Sequence, residues 1–166
     1  MPYIFSPKGH ERYREVARLA ASKTREASRE MGIAAGENYD WHDNGAYDSA
    51  MQDAHLAGTK LEEISMRLVQ AQIKPYPKTS RGIVEYGTNV ILEVDGHRES
   101  YAIVGFGDEN PDEGRILYTA PIARAAMNRR VGERFKAQIG PFQKEVKVLE
   151  IMVLPEDVLT LTTNAK

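Results

Sequence analysis

The chain has 166 residues and a formal net charge of −2, so it has room for one ordinary domain or two small ones and carries no overall basic footprint. Binding of free nucleic acid through bulk electrostatics is therefore excluded as the default function. The absence of cysteine excludes disulfides, thiolate zinc sites and a cysteine nucleophile. No segment has the apolar length of a signal-peptide core or a membrane span, so we expect a cytoplasmic protein.

Two segments in the first half, predicted as one helical domain over residues 1–75, carry the heptad spacing of a coiled coil. Small and apolar residues recur at alternating intervals of four and three. The first segment has Tyr13, Ala17, Ala20, Thr24, Ala27, Met31 and Ala34, with Val16 and Leu19 widening the stripe; the second has Tyr47, Ala50, Ala54, Ala57, Leu61, Ile64, Leu68 and Ala71. Ser6-Pro7 is typical of a helix start. The pattern predicts an antiparallel helical hairpin, although pairing of the arms between two subunits would satisfy the same spacing.

The predicted tip of the hairpin is acidic. Three glycines, at positions 32, 36 and 45, mark the place where the helical pattern lapses and the chain reverses. Residues 6–36 have a net charge of +3, whereas residues 37–63 have a net charge of −6. The sequence DWHDNGAY occupies positions 40–47, and it places two carboxylates, Asp40 and Asp43, three residues apart.

The second half, from residue 80 to residue 155, has the short apolar runs of a β-sheet. Two prolines at positions 75 and 77 end the helical pattern. β-Favouring runs follow at residues 82–86, 89–94, 99–106, 115–119, 133–139 and 145–154. Asp95-Gly96 predicts a hairpin turn, and residues 121–128, PIARAAMN, predict a short helix with proline in its first turn. We therefore expect an α+β protein, with a small antiparallel sheet, one packed helix and a flexible tail at residues 156–166.

Two motifs resemble those of the bacterial GreA/GreB family of transcription elongation factors, which act in transcript cleavage. DWHDNGAY is similar to the DLKENAEY-like motif at the family's tip and matches it at Asp40, Asn44 and Tyr47, with Asp43 where glutamate is usual. APIARAAMNRRVGERF, at residues 120–135, resembles the family's SPIARALLGKKVGDEV-type segment. The resemblance covers the chain to about residue 154, with both motifs on the expected elements.

The resemblance implies a specific architecture and function. It implies a coiled-coil finger that enters the secondary channel of bacterial RNA polymerase, and an FKBP-like C-terminal domain that holds the polymerase rim. The acidic tip would then help to hold a second Mg²⁺ near the 3′ end of the nascent RNA, so that the polymerase cleaves backtracked RNA. The chain itself would be no enzyme, would bind no cofactor in isolation and would act as a monomer.

The residue types at the tip fit this chemistry, but each has a simpler interpretation. Two-metal phosphodiester cleavage requires oxygen ligands, and Mg²⁺ prefers carboxylates; from spacing alone, Asp40 and Asp43 fit a helix cap equally well or better. Trp41 suits base stacking or packing across the hairpin end. His42 suits a phosphate contact or plain exposure. Asn44 and Tyr47 are predicted to shape the turn.

Other candidate residues lie on the arms and in the second half. Lys23, Arg25 and Arg29 are candidates for RNA or channel contact, or are simply a solvated helix face. Around the PIARAAMN helix, three basic residues are candidates for polymerase contact, or are its exposed polar side: Arg124, Arg129 and Arg130. A zinc or iron site using His42, Asp43 and His55 is disfavoured, because the two histidines are thirteen positions apart in the chain.

A second function has the same architecture. The altered tip is compatible with a Gre-like protein that occupies the secondary channel and regulates or inhibits RNA polymerase without stimulating cleavage. Asp43 is one methylene shorter than the usual glutamate, and metal sites tolerate little loss of reach.

Overall fold

A computed structural model describes residues 2–36 and 45–154 and shows an α+β protein. Its first half contains the two predicted long helices, α1 (Pro7–Gly36) and α2 (Gly45–Val69). They run antiparallel within one chain, because Thr24 Oγ1 donates to the carbonyl of Ala57 at 3.1 Å and Arg67 Nη1 donates to Tyr13 Oη at 2.8 Å. The helical hairpin is confirmed.

The seam between α1 and α2 follows the heptad pattern. Within both helices every predicted seam residue is buried or half-buried, and Ile64 is 2% exposed. The predicted widening of the stripe is wrong, because Val16 and Leu19 are 44% and 49% exposed. Each precedes a seam residue and is therefore rotated by about 100° from the seam. Two helices bury only a narrow stripe, so flanking positions stay in water.

The base of the hairpin departs from the helical prediction. α2 ends at Val69, and Ala71, predicted as the last helical seam residue, lies in strand β2 (Ala71–Ile73). This strand pairs with β1 (Tyr3–Phe5), a strand that the sequence pattern does not show. Lys74 N donates to the carbonyl of Phe5 at 2.8 Å. A three-residue strand is too short to show the alternation of apolar and polar residues that marks a strand in a sequence. The pairing of β1 with β2 could therefore not be predicted.

The second half forms a five-stranded sheet. Its strands are β3 (Thr88–Val94), β4 (His97–Val104), β5 (Arg115–Leu117), β6 (Arg134–Ile139) and β7 (Phe142–Val153), in the spatial order β5-β4-β3-β7-β6. The predicted hairpin turn is confirmed: Asp95 and Gly96 have φ of 50° and 82° and join β3 to β4. The sheet is not wholly antiparallel, because β5 runs parallel to β4 after a ten-residue connection.

One helix and one irregular segment complete the core of the sheet. Helix α3 (Pro121–Ala126) buries Ile122, Ala123 and Ala126 against a cluster of strand residues. Residues 82–86 form no strand, contrary to prediction; Ile83 makes only an isolated bridge to Arg130. Val84 is still fully buried, because its backbone bonds to the turn that follows α3. An irregular segment with a buried apolar side chain can therefore have the same sequence pattern as a strand.

The chain divides into two compact units. One contains Met1–Tyr3 and Glu11–Ala71, and the other contains Ile4–His10 and Gln72–Lys166. The first turn of α1 therefore belongs to the same unit as the five-stranded sheet. None of the helices in the part of the chain that the structure describes is long and apolar enough to cross a membrane.

Candidate functional site

The tip of the hairpin is bracketed by the described helix ends. Asp40, Trp41, His42, Asp43 and Asn44 lie outside the described residues, between the last residue of α1 and the first residue of α2. The structure therefore places the two helix ends of the finger and not the carboxylates themselves. The roles of these residues stay predictions.

Two further residues of the tip region lie within the first turns of α2. Tyr47 is half-buried at its predicted seam position. Asp48 is exposed in the first turn, where a negative charge interacts favourably with the positive end of the helix dipole. Helix stability is thus a sufficient explanation for an acidic residue at position 48. Asp48 therefore provides a matched control for the carboxylates of Asp40 and Asp43.

The basic residues predicted for RNA or channel contact do not form one patch. Lys23, Arg25 and Arg29 are all exposed on α1. Arg25 and Arg29 are one turn apart on the same face, whereas Lys23 lies on the opposite side of the seam residue Thr24. The structure therefore brings two of the three together.

The three arginines near α3 differ in their surroundings. Arg124 and Arg130 are exposed. Arg129 is half-buried; its Nη1 lies 3.5 Å from Glu133 Oε2, and its guanidinium carbon lies 5.7 Å from the centre of the Phe135 ring. Asn128, with φ of 63°, turns the chain after α3. Arg129 is thus engaged in packing, which leaves Arg124 and Arg130 as the better candidates for a partner contact.

A polar cluster lies at the start of α1; it is formed by the buried residues Ser6, Gly105 and Asp108 and the half-buried Tyr76. Ser6 Oγ accepts a hydrogen bond from Gly9 N at 2.8 Å and donates to Asp108 Oδ2. Tyr76 Oη donates to the same oxygen at 2.7 Å and accepts from Gly105 N at 3.1 Å. Burial, and then the negative charge of Asp108, raise the pKa of Tyr76.

Sequence reasoning identified only one member of this cluster, since Ser6 was predicted as a helix cap. Asp108 lies in the GFGDENP segment at residues 105–111, which lacks the regular spacing of apolar residues that marks a helix or a strand. The glycines on either side of Phe106 were the available signal for a close backbone approach. The cluster lies within the unit that contains the sheet.

No cluster of metal ligands is found in the described residues. Within residues 2–36 and 45–154, no three His, Asp or Glu side chains are placed to hold a metal ion. His55 is exposed on α2, whereas His42 and Asp43 lie outside these ranges. The role of Asp40 and Asp43 as cation ligands therefore stays a prediction.

Comparison with known proteins agrees with both halves of this architecture. Residues 78–152 match the family model described as transcription elongation factor GreA/GreB, C-terminal. The transcription elongation factor GreA of Listeria welshimeri is 30% identical over 139 residues, which cover 82% of this chain and 86% of the relative. That of Thermomicrobium roseum is 35% identical over 100 residues, which cover 60% of this chain and only 64% of the relative.

A solved structure is also similar. The crystal structure of GreA factor homolog 1 (Gfh1) from Thermus thermophilus superposes with a TM-score of 0.46 at 20% identity, covering 91% of this chain and 99% of that one. At this score the likeness adds nothing to the sequence matches. Those matches are sufficient: the chain belongs to the GreA/GreB family of transcription elongation factors.

Proposed function

We propose that the chain is an accessory factor of bacterial RNA polymerase that inserts its hairpin into the secondary channel and stimulates the polymerase's own cleavage of backtracked RNA. The observation that carries the proposal is the hairpin itself, in a chain of this family. α1 has 30 residues and α2 has 25, so each arm is roughly 40 Å long at 1.5 Å per residue. The acidic segment is the connection between them.

Asp40 and Asp43 are the residues proposed to hold a cation. Their carboxylates are hard oxygen donors, the type that Mg²⁺ prefers, and two of them leave coordination positions for water and for ligands of the polymerase. The ion, when bound, would stabilise the charge that develops on the scissile phosphate. The chain would supply the ligands and no catalytic group that works alone, so it is proposed to be no enzyme by itself.

Other parts of the chain would bind rather than cleave. The sheet unit is proposed to hold the polymerase through Arg124 and Arg130, whose exposed guanidinium groups suit carboxylates on a partner. Arg25 and Arg29 would meet RNA or the channel wall. The pairing of α1 with α2 inside one chain supports a monomer, because the seam needs no second copy.

A cleavage assay with a matched control tests the proposal. A stalled, backtracked polymerase with Mg²⁺ should release short 3′ RNA fragments faster when the chain is added, and the chain alone should cleave nothing. Asp40→Asn or Asp43→Asn should lower the stimulated rate on the order of 100-fold, as is typical when one electrostatic group of a catalytic site is lost. Asp48→Asn should change it less than about threefold. No release with the unaltered chain, while it still competes for the channel, would overturn the proposal.

The alternative function, occupation of the channel without stimulation, is favoured by one observation: aspartate at position 43 where the family has glutamate. Asp43→Glu, alone and with Trp41→Leu, tests it. A large gain in cleavage would show that the native tip is impaired and that the chain acts mainly as a regulator or inhibitor. Cleavage by the native chain that neither substitution improves would remove the reason for this alternative.

A further inference from the structure

Thr24 places a hydroxyl in the middle of the alanine-rich seam of the hairpin, where it is half-buried. Its Oγ1 lies 3.0 Å from the carbonyl oxygen of Ala20, one turn earlier in α1, and 3.1 Å from that of Ala57 on α2. The first contact is the ordinary bond of a threonine inside a helix. The second contact joins the hydroxyl to the main chain of the facing helix. The Thr24 hydroxyl therefore links α1 directly to α2.

The seam is narrowest at this contact. Because the helices are antiparallel, facing residues can be counted outwards from the Thr24–Ala57 bond. The next layer towards the tip pairs Ala27 with Ala54, so two successive layers consist of one threonine and three alanines. The other layers pair a small residue with a large one: Ala20 with Leu61, Ala17 with Ile64, Met31 with Ala50 and Ala34 with Tyr47. Paired alanines have no long side chains to interdigitate, so they resist sliding along the helix axis only weakly.

A hydrogen bond across the seam supplies the resistance to sliding that the alanines lack. Its energy falls steeply when donor and acceptor move apart or out of line. A single polar residue at a seam position is an established way to fix the register of paired helices. The second polar contact of the hairpin, from Arg67 Nη1 to Tyr13 Oη at 2.8 Å, agrees with the same count of facing residues to within one position. Both contacts therefore specify one register.

We propose that Thr24 is a positioning residue of the hairpin, whose hydroxyl fixes the register of α1 against α2 and so the relative height of the helix ends, Gly36 and Gly45, that bracket the acidic tip. This inference rests on the proposed function. A slide of one residue changes that height by about 1.5 Å, whereas catalytic groups must be placed to within about 0.5 Å. The eight residues between the helix ends have a length of up to about 26 Å, so their number alone does not select one register.

Two substitutions at position 24 separate the hydroxyl from the shape of the side chain. Thr24→Val keeps the branched shape but removes the hydroxyl, whereas Thr24→Ser keeps the hydroxyl but removes the methyl group. Because valine is apolar, Thr24→Val should unfold at the same or a higher urea concentration than the unaltered chain. Thr59→Val is the matched control, because the exposed Thr59 hydroxyl donates to the carbonyl of His55 in its own helix at 3.0 Å and lies outside the seam.

Spin labels on the two helices measure the register. The chain has no cysteine, so Ser28→Cys on α1 and Glu62→Cys on α2, both exposed, introduce one nitroxide pair. Counted from the Thr24–Ala57 bond, the labels are nine positions apart along the axis, so sliding changes their separation. By pulsed electron paramagnetic resonance, Thr24→Val should at least double the width of a narrow distance distribution, and Thr24→Ser and Thr59→Val should leave it unchanged. A distribution that is broad in the unaltered chain, or that stays narrow in Thr24→Val, would overturn the proposal.

The cleavage assay then separates positioning from binding. In Thr24→Val, the cleavage rate at saturating chain should fall at least about tenfold, because a misplacement of about 1 Å is costly in catalysis, while the dissociation constant for polymerase changes less than about threefold. Thr24→Ser and Thr59→Val should keep the rate within about twofold. An unchanged rate in Thr24→Val, or an equal fall in Thr24→Ser, would also overturn the proposal. If the unaltered chain stimulates no cleavage, the proposed function fails, and the spin-label result alone decides whether Thr24 fixes the register.

Discussion

Two tyrosines, the half-buried Tyr76 and the buried Tyr86, are placed where ionisation would disrupt the sheet unit. Their rings stack with centres 4.8 Å apart. Burial is the main cause that raises the pKa of each phenol, and the charge of Asp108 raises both further. The neutral hydroxyl of Tyr76 is required as a donor to Asp108. The unit is therefore more stable while these phenols keep their protons.

Stability should fall in alkali because of these phenols. Unfolded tyrosine ionises near pH 10, whereas the folded phenols ionise higher. Their contribution is complete below about pH 10 and is lost as the pH rises above it. The free energy of unfolding, measured by urea titration at pH values from 8 to 11.5, should fall less steeply with pH in Tyr76→Phe than in the unaltered chain. Tyr101→Phe should make this loss shallower by a similar amount, because burial and Glu99 raise the pKa of Tyr101 to about 12, above the pH range of the titration. Equal slopes for Tyr76→Phe and the unaltered chain would contradict this.

The close approach at Gly107 gives a second prediction for a single residue. Gly107 and Gly96 both have positive φ, of 83° and 82°, but a Cβ atom meets Gly9 only at Gly107. Gly96→Ala should cost about 1–2 kcal/mol in the free energy of unfolding, from backbone strain alone. Gly107→Ala should cost more than about 3 kcal/mol, because a steric clash adds to the strain. Urea titration measures both, and equal losses would show that the loop adjusts freely.

Among the elements, the helices were predictable from sequence and the pairing of short strands was not. The seam is regular because each heptad buries the same stripe, so residues such as Ala17 and Ala57 reveal it. β1, and the parallel direction of β5, depend on contacts distant in sequence. Ala71 kept the heptad spacing although the helix had already ended. The spacing of apolar residues therefore predicts which residues are buried better than it predicts where a helix ends.

For the candidate site, the sequence predicted the location of the tip but not the surroundings of each residue near α3. Motif resemblance identified the tip, but it could not distinguish Arg129, which packs on Phe135, from the exposed Arg124 and Arg130. That distinction depends on which side of a turn faces the core. Asp108 was missed because a buried polar contact between residues about a hundred positions apart has no local pattern.

The stability of the hairpin should depend on its narrow seam. Ile64→Ala removes a side chain that is 2% exposed and should lower the free energy of unfolding of the helices by about 2–5 kcal/mol. Leu56→Ala, on the same helix but 58% exposed, should cost less than about 0.5 kcal/mol. Circular dichroism of the helices during urea unfolding gives both values. Similar losses for the two variants would indicate that the seam is assigned to the wrong face.

At the scale of the whole molecule, binding and cleavage should be separable, because they are proposed to lie on different units. Arg124→Ala and Arg130→Ala should each weaken polymerase binding about two- to fivefold, the effect of an exposed ion pair. Arg134→Ala, an exposed arginine on β6, is the control and should change binding less than twofold. Competition with a fluorescent unaltered chain measures these affinities. Unchanged binding in both variants would remove this surface from the proposed interface.

The order of the sequence and the division into compact units do not coincide. Residues 4–10 precede the hairpin in the chain but complete the unit that holds the sheet, and Phe5 is fully buried there. A single genetic crossover near residue 72 would therefore transfer the sheet without Phe5, an aromatic side chain that is buried in the same unit. Exchange of this half between related genes should require two crossovers, one on each side of the hairpin.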